Sequence, residues 1–243
     1  MQSWGLTDPG CVRKQNQDSY RIEQLDRGNL LCIVCDGMGG AKSGNIASSL
    51  AVDVFVEEVR RCWKPVMEQD KVDQMLRSAV KLANFTVYDQ SRQFEEFDGM
   101  GTTLVAVMVR GRKATVVNVG DSRAYLIRPD GIRRITRDHS VVEDLIANGD
   151  LTPEQARRHP QKNLITRALG TSPRVKADLF QETVAPGDAL LLCSDGLINE
   201  VTDQEIQKEV LAGGSPQEIC QRLVARTLDH GAPDNVTVVL FQL

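Results

Sequence analysis

Four short acidic stations constrain what this chain can fold into more than any other feature. They are Arg13-Lys14-Gln15-Asn16-Gln17-Asp18, Asp36-Gly37-Met38-Gly39-Gly40, Ser194-Asp195-Gly196 and Pro233-Asp234-Asn235. In each, the acid sits in or beside a turn-forming cluster and next to a run of β-type residues. Carboxylates at strand ends let distant parts of a sheet converge on one point. Converging carboxylates without matching basic partners repel each other, so the cluster persists only where a cation neutralises it. The pattern points to a hard-metal site carried on strands.

Strand-like runs cover Ser19 to Leu25, Asn29 to Cys35, Thr102 to Arg110, Ala114 to Val119, Arg123 to Arg128, Ile132 to Thr136, Ala189 to Cys193 and Asn235 to Gln242. Arg128-Pro129-Asp130-Gly131 predicts a hairpin turn between two of them. Apolar residues at helical spacing predict helices over Ile46 to Arg61 and Val72 to Arg92. Thr202-Asp203-Gln204-Glu205 and Ser215-Pro216-Gln217-Glu218 read as helix starts, with a hydroxyl cap and an acid three residues on. Strands and helices come in groups rather than in strict alternation, which favours an α+β protein with antiparallel sheets covered by helices. Asp138 to Gly170 is polar and turn-rich, with a short helix expected at Val141 to Ala147, and reads as an insertion over one sheet edge.

The chain has 243 residues, enough to bury a substantial core. Its formal charge of -4 gives no sign of nucleic-acid or anionic-membrane binding. No apolar run is long enough to span a bilayer, and Met1 to Gly5 lacks the pattern of an export signal, so a cytoplasmic protein is expected. The six cysteines are expected to be free thiols. Cys32 and Cys35 form a C-x-x-C, but residues three apart in a strand face opposite sides of the sheet, so packing is their expected role.

Mg²⁺ and Mn²⁺ prefer oxygen donors and keep several waters, so two or three carboxylates and a carbonyl suffice to bind them. The glycines after Asp36 permit a tight turn and leave carbonyls accessible. Asp36 could then bridge two cations, which would activate a shared water at neutral pH. Arg13 carries a planar fork of donors suited to phosphate oxygens. Taken singly, each Asp-Gly or Asp-Asn pair reads as a plain turn. The set reads as a site.

Seven motifs in order along the chain resemble the PPM (PP2C-type) family of metal-dependent protein serine/threonine phosphatases, in its compact bacterial branch. They are Asp8-x-Gly10-x-x-Arg13-x-x-Asn16-Gln17-Asp18, Asp36-Gly37-Met38-Gly39-Gly40, Gly101-Thr102-Thr103, Asn118-Val119-Gly120-Asp121-Ser122-Arg123-Ala124-Tyr125, Asp138-His139-Ser140, Ser194-Asp195-Gly196-Leu197 and Asp234-Asn235-Val236-Thr237. The resemblance implies one catalytic domain over residues 1–243, with a mobile flap at about 138–170. It implies a four-layer α-β-β-α sandwich in which two central antiparallel sheets are flanked by helix pairs. It also implies that Asp36 bridges two core Mn²⁺ or Mg²⁺ ions, the Gly37 carbonyl binds one, Asp195 and Asp234 hold the other, and Asp18 acts through water. Asp121 with Asp195 would hold a third ion, although Gly120-Asp121-Ser122 also reads as a hairpin turn.

The implied reaction is hydrolysis of phosphoserine or phosphothreonine in proteins. Arg13 holds the phosphate, and a metal-activated water attacks in line. The expected partners are phosphoproteins, including a cognate Ser/Thr kinase, and the expected state is a monomer. Two departures from the family pattern stand out. Gln17 replaces a common acid, and Met38 and Ala41 stand where some members carry a histidine proton donor, so water is the expected donor here. Only Cys220 has an arginine six residues later, Arg226, and that pair falls within the helix opened by Ser215 rather than in a loop, so a Cys-based phosphatase is not indicated. The alternatives are a catalytically inactive relative that binds phosphoproteins, disfavoured because Asp36, Asp195 and Asp234 are all present, and a phosphatase of anti-sigma-factor antagonists.

Overall fold

The computed structural model describes residues 2–243, with the side chains of residues 40–42 outside the described set. Met1 and the Ala41 side chain therefore lie outside the described residues. Three strands, β1 (Gln2–Asp8), β2 (Asp18–Asp26) and β3 (Asn29–Met38), lead into two long helices, α1 (Gly40–Cys62) and α2 (Gln69–Gln93). Next come β4 (Gly101–Thr102), β5 (Leu104–Arg110), β6 (Lys113–Val119), β7 (Arg123–Arg128) and β8 (Gly131–Arg134), then α3 (Val141–Ala147) and α4 (Pro153–Arg157). The chain closes with β9 (Asp178–Thr183), β10 (Ala189–Cys193), α5 (Asp195–Glu200), α6 (Asp203–Leu211), α7 (Pro216–Asp229) and β11 (Val236–Gln242).

The strands form two antiparallel sheets, ordered β1-β11-β10-β7-β8 and β2-β3-β5-β6-β9, with β4 pairing the end of β3. The expected layering follows from side-chain alternation. On β3, Leu31, Ile33 and Cys35 enter the core under α1 and α2, whereas Leu30, Cys32 and Val34 enter the core between the sheets. On β10, Leu191 and Cys193 face α5, α6 and α7, and Leu190 and Leu192 face the other sheet. Each large apolar side chain buried in this way contributes roughly 1.5–3 kcal/mol. Two-faced strands thus bind four layers through three cores. Cys32 and Cys35 lie on opposite faces, buried and unpaired, as the strand period requires.

Several boundaries differ from the sequence reading, each for a physical reason. The run from Thr102 to Arg110 is broken at Thr103, which leaves the ladder to bond the Asp36 backbone. The first long helix starts at Gly40 rather than near Ile46, because a glycine-rich turn there continues directly into helix. β1, β9, α4 and α5 are elements the sequence reading did not contain. Beside the α6–α7 pair, the short α5 packs against α7 and β11. The segment after Asp138 is closed on itself by a bridge from Ser140 to Ile165 and tied to β4 by one from Thr102 to Leu169.

Two helix starts behave as expected. Thr202 and Ser215 each accept from the backbone N–H three residues on, and Glu205 and Glu218 reach back to the cap backbone. Gly196, in the first turn of α5, has a different role. A β-carbon there would lie 2.0 Å from the Asn235 carbonyl oxygen. Replacing glycine by alanine ordinarily favours a helix. Gly196→Ala is instead expected to lower stability by about 1–3 kcal/mol, as overpacking does, seen as a lower urea midpoint. An unchanged midpoint would contradict this close approach.

Candidate active site

β2 and β3 bring the first two acids together by register: Asp18 is directly opposite Asp36. Like charges so paired in a sheet are destabilising. The two sheets then deliver the remaining stations to the same end of the sandwich. Asp195 opens α5 two residues after β10 ends at Cys193, and Asp234 lies two residues before the last strand begins at Val236. Asp121 lies in the turn between β6 and β7. A cleft of about 700 Å³ is lined by Arg13, Asp36, Gly37, Asp121, Asp195 and Asp234, together with Lys14, Gln17 and Thr103. Asp18, only 8% exposed, does not line this cleft.

Backbone and hydroxyl contacts hold each acid in position. The Asp36 N–H donates to Thr103 Oγ1 at 2.9 Å, and the Asp36 carbonyl accepts from the Thr103 N–H and from Thr102 Oγ1. Asp18 Oδ2 accepts from Ser194 Oγ at 2.7 Å and Thr237 Oγ1 at 2.6 Å. Asp195 Oδ2 accepts from Asn199, and Asp234 Oδ1 from the Asn235 N–H. Asn235 also accepts from the Gln17 N–H and donates to the carbonyls of Pro9 and Gln15, which ties the Arg13 loop to the last station. Gly37 is required by close approach, since a β-carbon there would meet the Gly44 carbonyl oxygen at 2.0 Å. This contact seats the first turn of α1 against the end of β3.

The electrostatics are those of uncompensated negative charge. Burial, with the charges of Asp195 and Asp234, pushes Asp18 up from its ordinary 3.8 to about 7, against the lowering effect of its two hydroxyl donors. Burial raises Asp36 well above the carboxylate range, and Asp18, Asp195, Asp121 and Asp234 add to the rise. Asp121 is raised by burial, Asp195 and Asp138, and Asp195 by burial and Asp234, with hydrogen bonds to Asp36 and Asn199 and the charge of Lys162 partly offsetting the latter. Arg13 is the cation at the rim. It donates to Asp234 Oδ2 at 2.9 Å and lines the cleft while its side chain stays 55% exposed.

The donor set fits Mg²⁺ or Mn²⁺. Asp18 Oδ1 is buried with no hydrogen-bond partner, an acceptor suited to a cation or a water held by one. Among the described residues, no three or more His, Cys, Asp or Glu are already gathered into a metal-holding arrangement. Hard cations of this size take few protein ligands and retain water, so an open centre suits these residues better than a closed cage.

A model of the protein phosphatase 2C family matches residues 12–230. The chain belongs to the protein phosphatase 2C family. Members of that family are metal-dependent. The chain is 34% identical to a serine/threonine phosphatase, Stp, of Listeria welshimeri, over 97% of its own length and 93% of that relative's. It is 37% identical to the protein phosphatase PhpP of Streptococcus pneumoniae, over 98% and 96% of the two chains. The crystal structure of the serine/threonine phosphatase Stp1 from Staphylococcus aureus superposes with a TM-score of 0.93 at 38% identity, covering 99% of this chain and 94% of that one.

Sequence reasoning left part of this protein phosphatase 2C site unassigned. Ser194, Thr103, Thr237 and Asn235 lay inside the motifs, yet their roles in fixing Asp18, Asp36 and the Arg13 loop emerge only from the contacts. Asn163 and Ile165 line the cleft from the segment after Asp138, and nothing in their sequence context marks them.

The raised carboxyls carry a pH signature. A carboxyl with a raised folded pKa stabilises the fold while protonated, and that contribution is lost as pH climbs through the folded value. In excess chelator, Asp18 is expected to withdraw on the order of a few kcal/mol between about pH 4 and pH 7, read by urea unfolding. Asp18→Asn should flatten the slope, and Mn²⁺ should restore wild-type stability at neutral pH. An equally steep slope in Asp18→Asn would contradict the assignment.

Proposed function

We propose that this chain is a protein serine/threonine phosphatase whose carboxylate cleft hydrolyses phosphoserine and phosphothreonine in proteins. The observation that carries the reading is the convergence of Asp36, Asp195, Asp234 and Asp121 on one cleft with Arg13 at its rim. Asp36 and the Gly37 carbonyl would hold one Mn²⁺ or Mg²⁺, with Asp36 shared by a second ion on Asp195 and Asp234. Asp18 would act through water, and Asp121 with Asp195 would take a third ion. When bound, the cations supply charge neutralisation and activation of water.

The chain's own residues do the rest. The Arg13 guanidinium, anchored on Asp234, turns free donors toward the phosphate oxygens and orients phosphorus for in-line attack. Thr102 and Thr103 fix the Asp36 backbone, so the charged groups need not reorganise during reaction. The leaving alkoxide needs a proton, and neither His139 nor His159 lines the cleft. Water is therefore the donor in this reading. On the same reading the substrates include a Ser/Thr kinase whose signal the enzyme reverses, and the protein works as a monomer in the cytoplasm. No helix among the described residues is long and apolar enough to cross a membrane.

Purified protein is expected to hydrolyse a phosphothreonine peptide with Mn²⁺ or Mg²⁺ and to stop in excess chelator. Asp36→Asn should lower kcat by about a thousandfold or more, and Arg13→Ala should lower kcat/KM by about 10²-fold, the scale of a lost charge-stabilising donor. His159→Ala should leave both the peptide and p-nitrophenyl phosphate unaffected. Full activity in Asp36→Asn would overturn the reading.

A further inference from the structure

One motif has no part in the reaction described above: Asp138-His139-Ser140. His139 is 5% exposed and makes more connections than a packing residue needs. Its Nδ1 accepts from the Gly120 N–H at 3.1 Å, and its own N–H donates to the Gly120 carbonyl at 2.9 Å. Its carbonyl accepts from the Thr166 N–H at 2.8 Å, and Val141 donates to the Leu164 carbonyl. The residues from His139 to Val141 thus pair with Leu164 to Thr166 and close the intervening segment into a loop. Across the ring, Nε2 lies 3.1 Å from Asp178 Oδ2 and 3.0 Å from Arg167 Nη1.

These contacts settle the tautomer. The Gly120 N–H needs a lone pair on Nδ1, so the proton of the neutral ring is on Nε2 and donates to Asp178. Arg167 has only donors and cannot bond Nε2–H. It binds Asp178 Oδ1 at 3.3 Å instead, and its charge opposes protonation of the ring. Burial, the largest effect, also holds His139 below its ordinary pKa, so the neutral form is favoured.

The turn that His139 grips leads to the cleft. Gly120 precedes Asp121, and a β-carbon on Gly120 would meet Thr103 Cγ2 at 2.6 Å. Ser122 Oγ bonds Thr103 Oγ1 at 2.7 Å, and Thr103 Oγ1 accepts from the Asp36 N–H. Asn118 supports the same turn, donating to the carbonyls of Gly120 and Arg137. A bonded path therefore runs from Asp178 and Arg167 through His139 to the Gly120–Ser122 turn, Thr103 and Asp36. Within the loop that His139 closes, Asn163 and Ile165 line the cleft.

We propose that His139 is a positioning residue: as the neutral Nε2–H imidazole it fixes the Gly120–Ser122 turn and closes the 139–166 loop, setting Asp121 and the cleft-lining Asn163 and Ile165 together. This rests on the phosphatase reading for its effect on turnover, but the clamp itself is measurable without turnover. The full-length wild type is compared with His139→Gln, His139→Asn and Asp178→Ala. The asparagine side chain can present Oδ1 where Nδ1 stood, whereas glutamine cannot. Asp178 is partly exposed and outside the cleft, so Asp178→Ala tests the clamp even if the histidine variants fold poorly.

In chelator, His139→Gln should raise amide hydrogen exchange at residues 120–122 and 139–141 about tenfold, the worth of one buried hydrogen bond. His139→Asn should restore protection at 120–122, and Asp178→Ala should loosen 139–141 and 164–167. With added Mn²⁺, His139→Gln should raise both the Mn²⁺ concentration for half-maximal turnover and the phosphopeptide KM, while kcat at saturation stays within about threefold. Unchanged exchange at 120–122 in folded His139→Gln overturns the proposal. So does a collapse of kcat for the peptide with p-nitrophenyl phosphate spared, which would make His139 a proton donor. If the wild type turns over neither substrate while exchange shifts as described, the phosphatase reading fails and the clamp stands.

Discussion

Asp18 and Asp36 face each other across a single antiparallel register, and much of the rest of the architecture holds in place a pairing that repels itself. Burial strengthens the repulsion, because charge is less screened away from water. The structure answers it locally with hydroxyls: Ser194 and Thr237 donate to Asp18, and Thr102 and Thr103 grip the Asp36 backbone. None of these donors carries charge, so the cluster keeps its demand for a cation. The fold is kept rigid by three apolar layers that do not involve the cleft, which lets the site hold an arrangement that would not persist alone.

The layered architecture also explains why one sheet alone would not suffice. β2 and β3 belong to one sheet, while β10 and β11 lead into and out of the Asp195 and Asp234 stations in the other. The core between the sheets, built from residues such as Val34, Leu192 and Val239, therefore fixes the distance between the two halves of the site. Close backbone approaches finish the alignment. Gly196 lies against Asn235 and Gly37 against Gly44, so those motif glycines serve contact as much as turning.

Much of this was legible in the sequence, in uneven measure. Long apolar strands and amphipathic helices announced themselves because their period reflects two-sided or one-sided burial. β1 did not, because its Gly5 reads as a strand breaker. The residue must be glycine there, since a β-carbon would overlap the Tyr20 ring at 2.2 Å. β9 is a half-exposed polar edge whose order comes from pairing with β6. The acids of the site were visible as chemistry, because carboxylates in turn clusters are a pattern along the chain. Their supports were not, because Thr103, Ser122 and His139 act across 19 to 67 residues of sequence through contacts that no local pattern encodes.

The central claim is that a buried, proton-holding carboxylate cluster is completed by a divalent cation. The most direct test is calorimetric titration of Mn²⁺ into metal-free protein near pH 7, repeated in buffers with different heats of protonation, which counts the protons released. The account predicts binding that releases on the order of one proton per chain or more, because carboxyls whose ionisation burial opposes must give up their protons to accept the metal. Binding with no proton release, or no binding by folded protein, would contradict it.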